Sequence, residues 1–263
     1  MEKYGKHWSL VNFFRLNWFL IFLCSISSSD ILLANCRQAL VLALDVSGSV
    51  DKNEYDLQLK GLSNALISEE VKNKILSMPE LPVKILVFEW SGPEYQKVLV
   101  PWVDISTEEV LKNVASELSI KKRTIVPPTT ALGTAIQTGV SLLNQQNGCW
   151  KKTLDISGDG KSNVGPEPHE VNQPNQIGDI TINALIIGVD TPARLSNQEV
   201  EISELVTYFS NEVIAGPGSF SEVALGFADY ERAMIKKLVR ELGYLNISTL
   251  NHVIMRKKNI TTQ

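Results

Sequence analysis

The hydrophobic pattern is densest at Ala39-Leu40-Val41-Leu42-Ala43-Leu44, an unbroken apolar run that stops at Asp45 and is followed by Ser47 and Ser49. Such a run reads as a strand buried on both faces, as in a parallel sheet covered by helices. Asp51-Lys52-Asn53-Glu54 then opens a helix, with Tyr55, Leu59, Leu62, Leu66 and Ile67 at helical spacing to about Ser68. Residues 83–90 alternate as a strand, Ser91-Gly92-Pro93 turns the chain, and residues 97–103 return as a second strand of a hairpin. Pro101 marks that second strand as an edge. Ser106-Thr107-Glu108-Glu109 caps a helix through Val110, Leu111, Val114 and Leu118. A basic loop, Lys121-Lys122-Arg123, leads to Pro127-Pro128-Thr129-Thr130 and a helix marked by Ala131, Ala135, Ile136, Val140 and Leu143.

The second half repeats this alternation. Residues 153–157 form a strand that stops at Gly158-Asp159-Gly160, and residues 166–177 form a loop around a short helix. A β-branched strand over 180–188, a helix over about 197–208, a short strand over 213–215 and a last helix over 227–242 follow. Strands that alternate with helices predict an α/β fold: one doubly wound, mostly parallel sheet with one antiparallel edge strand. Open sheets of this kind bind ligands beyond the carboxyl ends of their strands. Asp45, Ser47, Ser49 and Asp159 all fall there, with Thr130 or its neighbour Thr129 at the start of a helix.

Composition narrows the chemistry. The chain has 263 residues with 25 basic against 29 acidic side chains, a formal charge of −4, which leaves no electrostatic footprint for nucleic acid. Its three histidines, His7, His169 and His252, are far apart, so a histidine-rich zinc or iron site is excluded and a metal would be held by oxygen. Two carboxylates and three hydroxyls suit magnesium, or manganese, with positions left for water or an incoming ligand. Two carboxylates only balance such a cation, so a partner's carboxylate would still be attracted.

At the N-terminus, Lys3, Lys6, His7 and Arg15 precede the nine-residue run Trp18 to Ile26, ended by Ser27-Ser28-Ser29-Asp30. A membrane-spanning helix needs about 20 apolar residues, so residues 1–34 read as a cleaved signal peptide that leaves no stable membrane anchor. Cleavage after Ser29 and after Ala34 both fit. The expected location is secreted or periplasmic. Removal of Cys24 would leave Cys36 and Cys149, an even pair that suggests a disulfide in an oxidising compartment, against the alternative of two buried thiols.

Several enzyme readings fail on particular residues. Gly158-Asp159-Gly160-Lys161-Ser162 contains Gly-Lys-Ser, but Asp155 stands where a phosphate-binding loop needs glycine. Haloacid-dehalogenase-type phosphatases carry a second aspartate two residues after the first, and that place is Ser47 here. No histidine is placed to activate a serine, and the dinucleotide fingerprint Gly-x-Gly-x-x-Gly is absent after the first strand. The alternative kept is a metal-dependent phosphohydrolase on a related fold.

Asp45-Val46-Ser47-Gly48-Ser49, then Thr130 before Ala-Leu-Gly, then Ser157-Gly158-Asp159-Gly160 resemble the von Willebrand factor A-type domain and its metal-ion-dependent adhesion site. Cys36 to Val50, Gly148-Cys149-Trp150 and Gly216-Pro217-Gly218-Ser219-Phe220 look, more closely, like a family of exported bacterial single-A-domain proteins of unknown function. The resemblance implies an A-type domain over residues 36–242, with residues 243–263 as a tail. It implies Asp45, Ser47, Ser49, Thr130 and Asp159 as the metal site, a protein partner that offers a carboxylate, and no catalysis. It also makes the strands near 40 and 153 neighbours, which would bring Cys36 and Cys149 together at their starts. Pro127 and Pro128 stand where the family has glycines, so the loop before Thr130 should be stiffer.

Overall fold

A computed structural model describes residues 35–188 and 195–243. The expected signal peptide and all but the first residue of the expected tail lie outside the described residues. Six strands form one sheet: β1 (Cys36–Asp45), β2 (Val83–Trp90), β3 (Gln96–Ile105), β4 (Cys149–Gly158), β5 (Thr181–Ile187) and β6 (Ser221–Ala224). Their order is β3-β2-β1-β4-β5-β6; only the β2–β3 pair is antiparallel. The doubly wound, mostly parallel α/β sheet with one antiparallel edge strand is therefore present.

Every residue of β1 is buried, because helices cover both faces. Leu40, Leu42 and Leu44 belong to one core with residues of α1 (Lys52–Ile67), α2 (Glu69–Ile75), α3 (Glu108–Ser119) and α8 (Tyr230–Gly243). Ala39, Val41 and Ala43 belong to the other, with residues of α4 (Leu132–Asn144), α5 (Pro168–Val171), α6 (Pro174–Ile177) and α7 (Leu195–Tyr208). Apolar residues on both faces leave the strand ends as the places for polar chemistry. Among the described residues no helix is long and apolar enough to cross a membrane.

Local signals explain most boundaries. The Asp51 carboxylate accepts from Glu54 N while the Glu54 carboxylate accepts from Asp51 N, a complete capping box for α1. Thr107 caps α3 by accepting from Val110 N. Val87 pairs with Val100 and Ile85 with Val103, so between these pairs two residues of β3, Pro101 and Trp102, answer one of β2, Leu86. Pro101 falls in that bulge, where its missing N–H costs no ladder bond.

Three expectations are corrected. The chain does not leave the helical region for good at Ser68: this residue ends α1 and starts α2, whose Val71 and Ile75 are buried one turn apart. Residues 213–215 are not a strand. The end of α7 runs on as a π-helical turn, Phe209–Val213, and Ala215 makes only an isolated bridge with Ile182. Gly216 and Gly218, at φ +86° and +68°, then turn the chain around Pro217, and the sixth strand begins at Ser221. Last, the terminal helix begins at Tyr230, after a 3-10 turn over Phe227–Asp229.

Cys36 and Cys149 face each other in the β1–β4 register with Cα atoms 4.6 Å apart, and a disulfide joins them. They sit at the starts of their strands. Asp45 and Asp159 sit at or just past the other ends.

Candidate functional site

The site is built where β1 and β4 end side by side, at the point where the strand order reverses. Asp45 is the last residue of β1 and wholly buried. Its main-chain carbonyl accepts from Gln58 Nε2 at 3.0 Å, so α1 fixes the strand end from below. Its Oδ1 accepts from Ser47 N at 2.8 Å, which folds the next residues back over the carboxylate. The Ser47 and Ser49 hydroxyls lie 3.3 Å apart, and Ser49 donates to Asp159 Oδ1 at 2.7 Å. Four of the five expected residues thus form one continuous chain of contacts.

Thr130 is connected through backbone. It is buried, gives its N–H to Asn163 Oδ1 at 2.9 Å, and its carbonyl takes Asn163 N at 2.9 Å and Ser162 Oγ at 3.3 Å. The loop before α4 is therefore fastened to the loop after β4. Gly48 N donates to Pro128 O at 3.1 Å, which fastens it to the loop after β1 as well. A Cβ at Gly48 would lie 2.8 Å from that oxygen and 2.9 Å from Pro128 Cβ. The prolines that replace the family's glycines pack where only a glycine leaves room. Thr129 directs its hydroxyl toward Gly92 in the loop after β2.

The electrostatics point to a shortage of positive charge. Asp45 Oδ2 is buried and has no hydrogen-bond partner. Burial, then the charge of Asp159, pushes the Asp45 carboxyl up to about 8, against the bonds from Ser47 and the charge of Arg123. Burial also raises Asp159, although the Ser49 hydroxyl and its own backbone N–H oppose the shift. An unsatisfied buried carboxylate oxygen beside a second carboxylate fits a bound cation on its own terms. Among the described residues no group of three or more His, Cys, Asp or Glu comes together, so a cation here would depend on hydroxyl and water oxygens.

Sequence reasoning missed three supports. Arg123 donates to Val46 O at 2.9 Å and Ser47 O at 3.2 Å, so the basic loop stiffens the first site loop. Gln58 is a polar residue on the buried face of α1, a mismatch legible in the helical pattern. Asn163, in the loop after β4, clamps Thr130. Phe209 supplies the apolar wall: a Cβ at Gly158 would lie 3.2 Å from its ring and 3.5 Å from Asp45 Oδ2. Asp155, as expected, lies inside β4 and not at the site; its Oδ2 is 2.6 Å from Lys237 Nζ.

Solved structures share this architecture. Proximal thread matrix protein 1 from the mussel byssus superposes with a TM-score of 0.50 at 16% identity, over 80% of this chain and 49% of that one. The pilus adhesin SpaC from Lactobacillus rhamnosus GG does so with a TM-score of 0.51 at 14% identity, over 79% of this chain and 30% of that one. The chain thus spans about half the length of the byssus protein and under a third of the adhesin. At these identities the likeness is one of fold. A von Willebrand factor type A protein from Catenulispora acidiphila aligns more loosely, at 13% identity over 79% of this chain and 43% of that one, with a TM-score of 0.45. Among curated proteins none matches. A family model described as "Protein of unknown function (DUF1194)" matches residues 35–246. That match covers most of the sequence, and the chain belongs to the DUF1194 family.

Proposed function

We propose that this protein is a cation-dependent binding module for another protein, that it carries out no catalysis, and that it acts outside the cytoplasm. Asp45, Ser47, Ser49, Thr130 and Asp159 would hold magnesium, or manganese, and a carboxylate of the partner would complete the site. The bound cation would supply the positive charge that joins the two carboxylates to the partner's. The observation that carries this reading is the orphaned, buried Oδ2 of Asp45 in the field of Asp159. Ser47 supports a binding role over phosphoryl transfer, because a hydroxyl stands where a second acid would be needed. Export is supported by the Cys36–Cys149 disulfide, which suits an oxidising compartment, together with the charged-then-apolar start of the sequence. We assign residues 1–34 to the signal peptide, 36–242 to the binding domain and 243–263 to a tail, with no nucleic acid and no lasting membrane anchor involved.

Calorimetric titration of magnesium into chelator-stripped protein tests the site. Saturable binding that Asp45→Ala abolishes is the expected result. No binding, or equal affinity in the variant, would overturn it.

A further inference from the structure

Beside the third site loop lies a cleft of about 230 Å3, between residues 159–161 and the Glu201, Ile202, Glu204 and Leu205 face of α7. It opens directly next to Asp159, yet none of the α7 residues belongs to the cation site. Resting on the reading above, we propose that this cleft takes a lysine or arginine side chain of the partner segment whose carboxylate meets the cation. The recognised element is then a paired acid and base.

The lining has the chemistry of such a side chain. Ile202 and Leu205 offer an apolar surface, as the aliphatic stem of a lysine or arginine requires, and Glu201 and Glu204 offer carboxylates for its head. Lys161 Nζ is 3.9 Å from Glu204 Oε2 in an exposed pair. Glu201 makes no ion pair among the described residues.

Charge balance sets the sign of the preference. A divalent cation would be neutralised by Asp45 and Asp159, so Glu201 and Glu204 against Lys161 leave the cleft one negative charge in excess. A partner that brought a carboxylate alone would carry like charge toward that excess. One that brings a base beside its acid cancels it. An acidic neighbour is opposed and a neutral one is indifferent.

The test uses bead-bound peptides with one aspartate and, one to three residues away on either side, a lysine, alanine or glutamate. Retention of the protein is measured with magnesium and with chelator. Magnesium-dependent retention should rank lysine over alanine over glutamate, with about two- to five-fold between neighbours, as for exposed charge pairs. Glu201→Lys, checked for folding by its melting temperature, should level or invert the ranking. Magnesium-dependent retention that ignores the neighbouring charge, or a ranking unchanged in Glu201→Lys, would overturn the cleft alone. Absence of magnesium-dependent retention for every peptide would overturn the cation-centred reading with it.

Discussion

Ser49 and Asp159, 110 residues apart in sequence, share a hydrogen bond of 2.7 Å that joins the loop after β1 to the loop after β4. The bond uses one hydroxyl and one carboxylate oxygen that a cation would also need. Ser49→Ala removes a candidate ligand and leaves the two loops joined, among the described residues, through the α4-side loop. We expect it to weaken magnesium binding by about tenfold, roughly the value of one charge-assisted bond, with the melting temperature in chelator little changed. Calorimetry and thermal melting of the same samples check both halves.

Asp45→Asn should separate stability from binding. In chelator the variant should melt at or above the wild type, because it replaces a buried carboxyl whose ionisation burial and Asp159 oppose and whose Oδ2 has no partner. Magnesium at a hundred times its dissociation constant should stabilise the wild type by about 2.7 kcal/mol and leave the variant unmoved. Differential scanning calorimetry with and without magnesium decides this; an equal rise in both proteins contradicts it.

Much of this was legible in the sequence, and the exceptions have physical causes. β1 was legible as an apolar run that ends at a carboxylate, and all ten residues of the strand are buried. β2 was placed correctly, although the alternation expected of it is not what the fold shows: seven of its eight residues are buried. α2 was hidden because Ser68 is a legitimate end for α1 and also begins the next helix, so one residue carries both signals. The π-helical turn at Phe209–Val213 was read as a strand because Val213-Ile214-Ala215 is β-prone locally, while buried Phe209 and Val213 keep the turn helical through tertiary packing. At the site, residue types and spacing singled out Asp45, Ser47, Ser49 and Asp159, which the fold brings into contact. Gln58 left a trace, a polar residue on the buried face of α1, but its partner did not, and the clamps from Arg123 and Asn163 left none, because each acts across at least 13 residues through backbone groups that have no sequence signature.

Gly48→Ala should damage the first loop. Its Cβ would lie 2.8 Å from Pro128 O, and the stiff Pro127-Pro128 segment has little room to yield. We expect a loss of about 1–3 kcal/mol in urea unfolding and weaker magnesium binding. Unchanged values for both would show that the loop can retreat.

The buried cluster on the α8 side predicts a pH dependence. Lys237 is fully buried between Asp155, at 2.6 Å, and Glu241, at 3.3 Å, so one cation faces two carboxylates. Burial pushes the Asp155 carboxyl up to about 8, with Glu241 adding to the rise and Lys237 opposing it. The folded-state value is then above the unfolded one, so the folded protein binds more protons between pH ~4 and ~8 and loses stability as pH climbs through that window. Asp155→Asn should flatten this part of the profile. Lys237→Met leaves the carboxylates uncompensated and should cost about 3–5 kcal/mol at pH 8, less at pH 5. Urea unfolding at both values measures it.

Cys36→Ala removes a cross-link that closes a loop of 113 residues, worth about 4–5 kcal/mol in the chain-entropy model. Stability in urea should fall by up to that amount. Magnesium affinity should hold, because the disulfide lies at the opposite end of the strands from Asp45. Reduction of the wild type should reproduce the variant.

The two ends of the described domain leave it from the same pole. Asn35 N bonds Gly148 O at the start of β4, and Arg37 reaches the carbonyls of Lys74 and Ile75 at the end of α2. Gly243 closes α8 beside the side chain of Lys74. Asp45 lies a strand length away, roughly 30 Å at about 3.3 Å per residue. A tether fixed at residue 35, at residue 243 or at both would therefore hold the domain by its base and turn its acidic loops outward, like a hand held by the wrist.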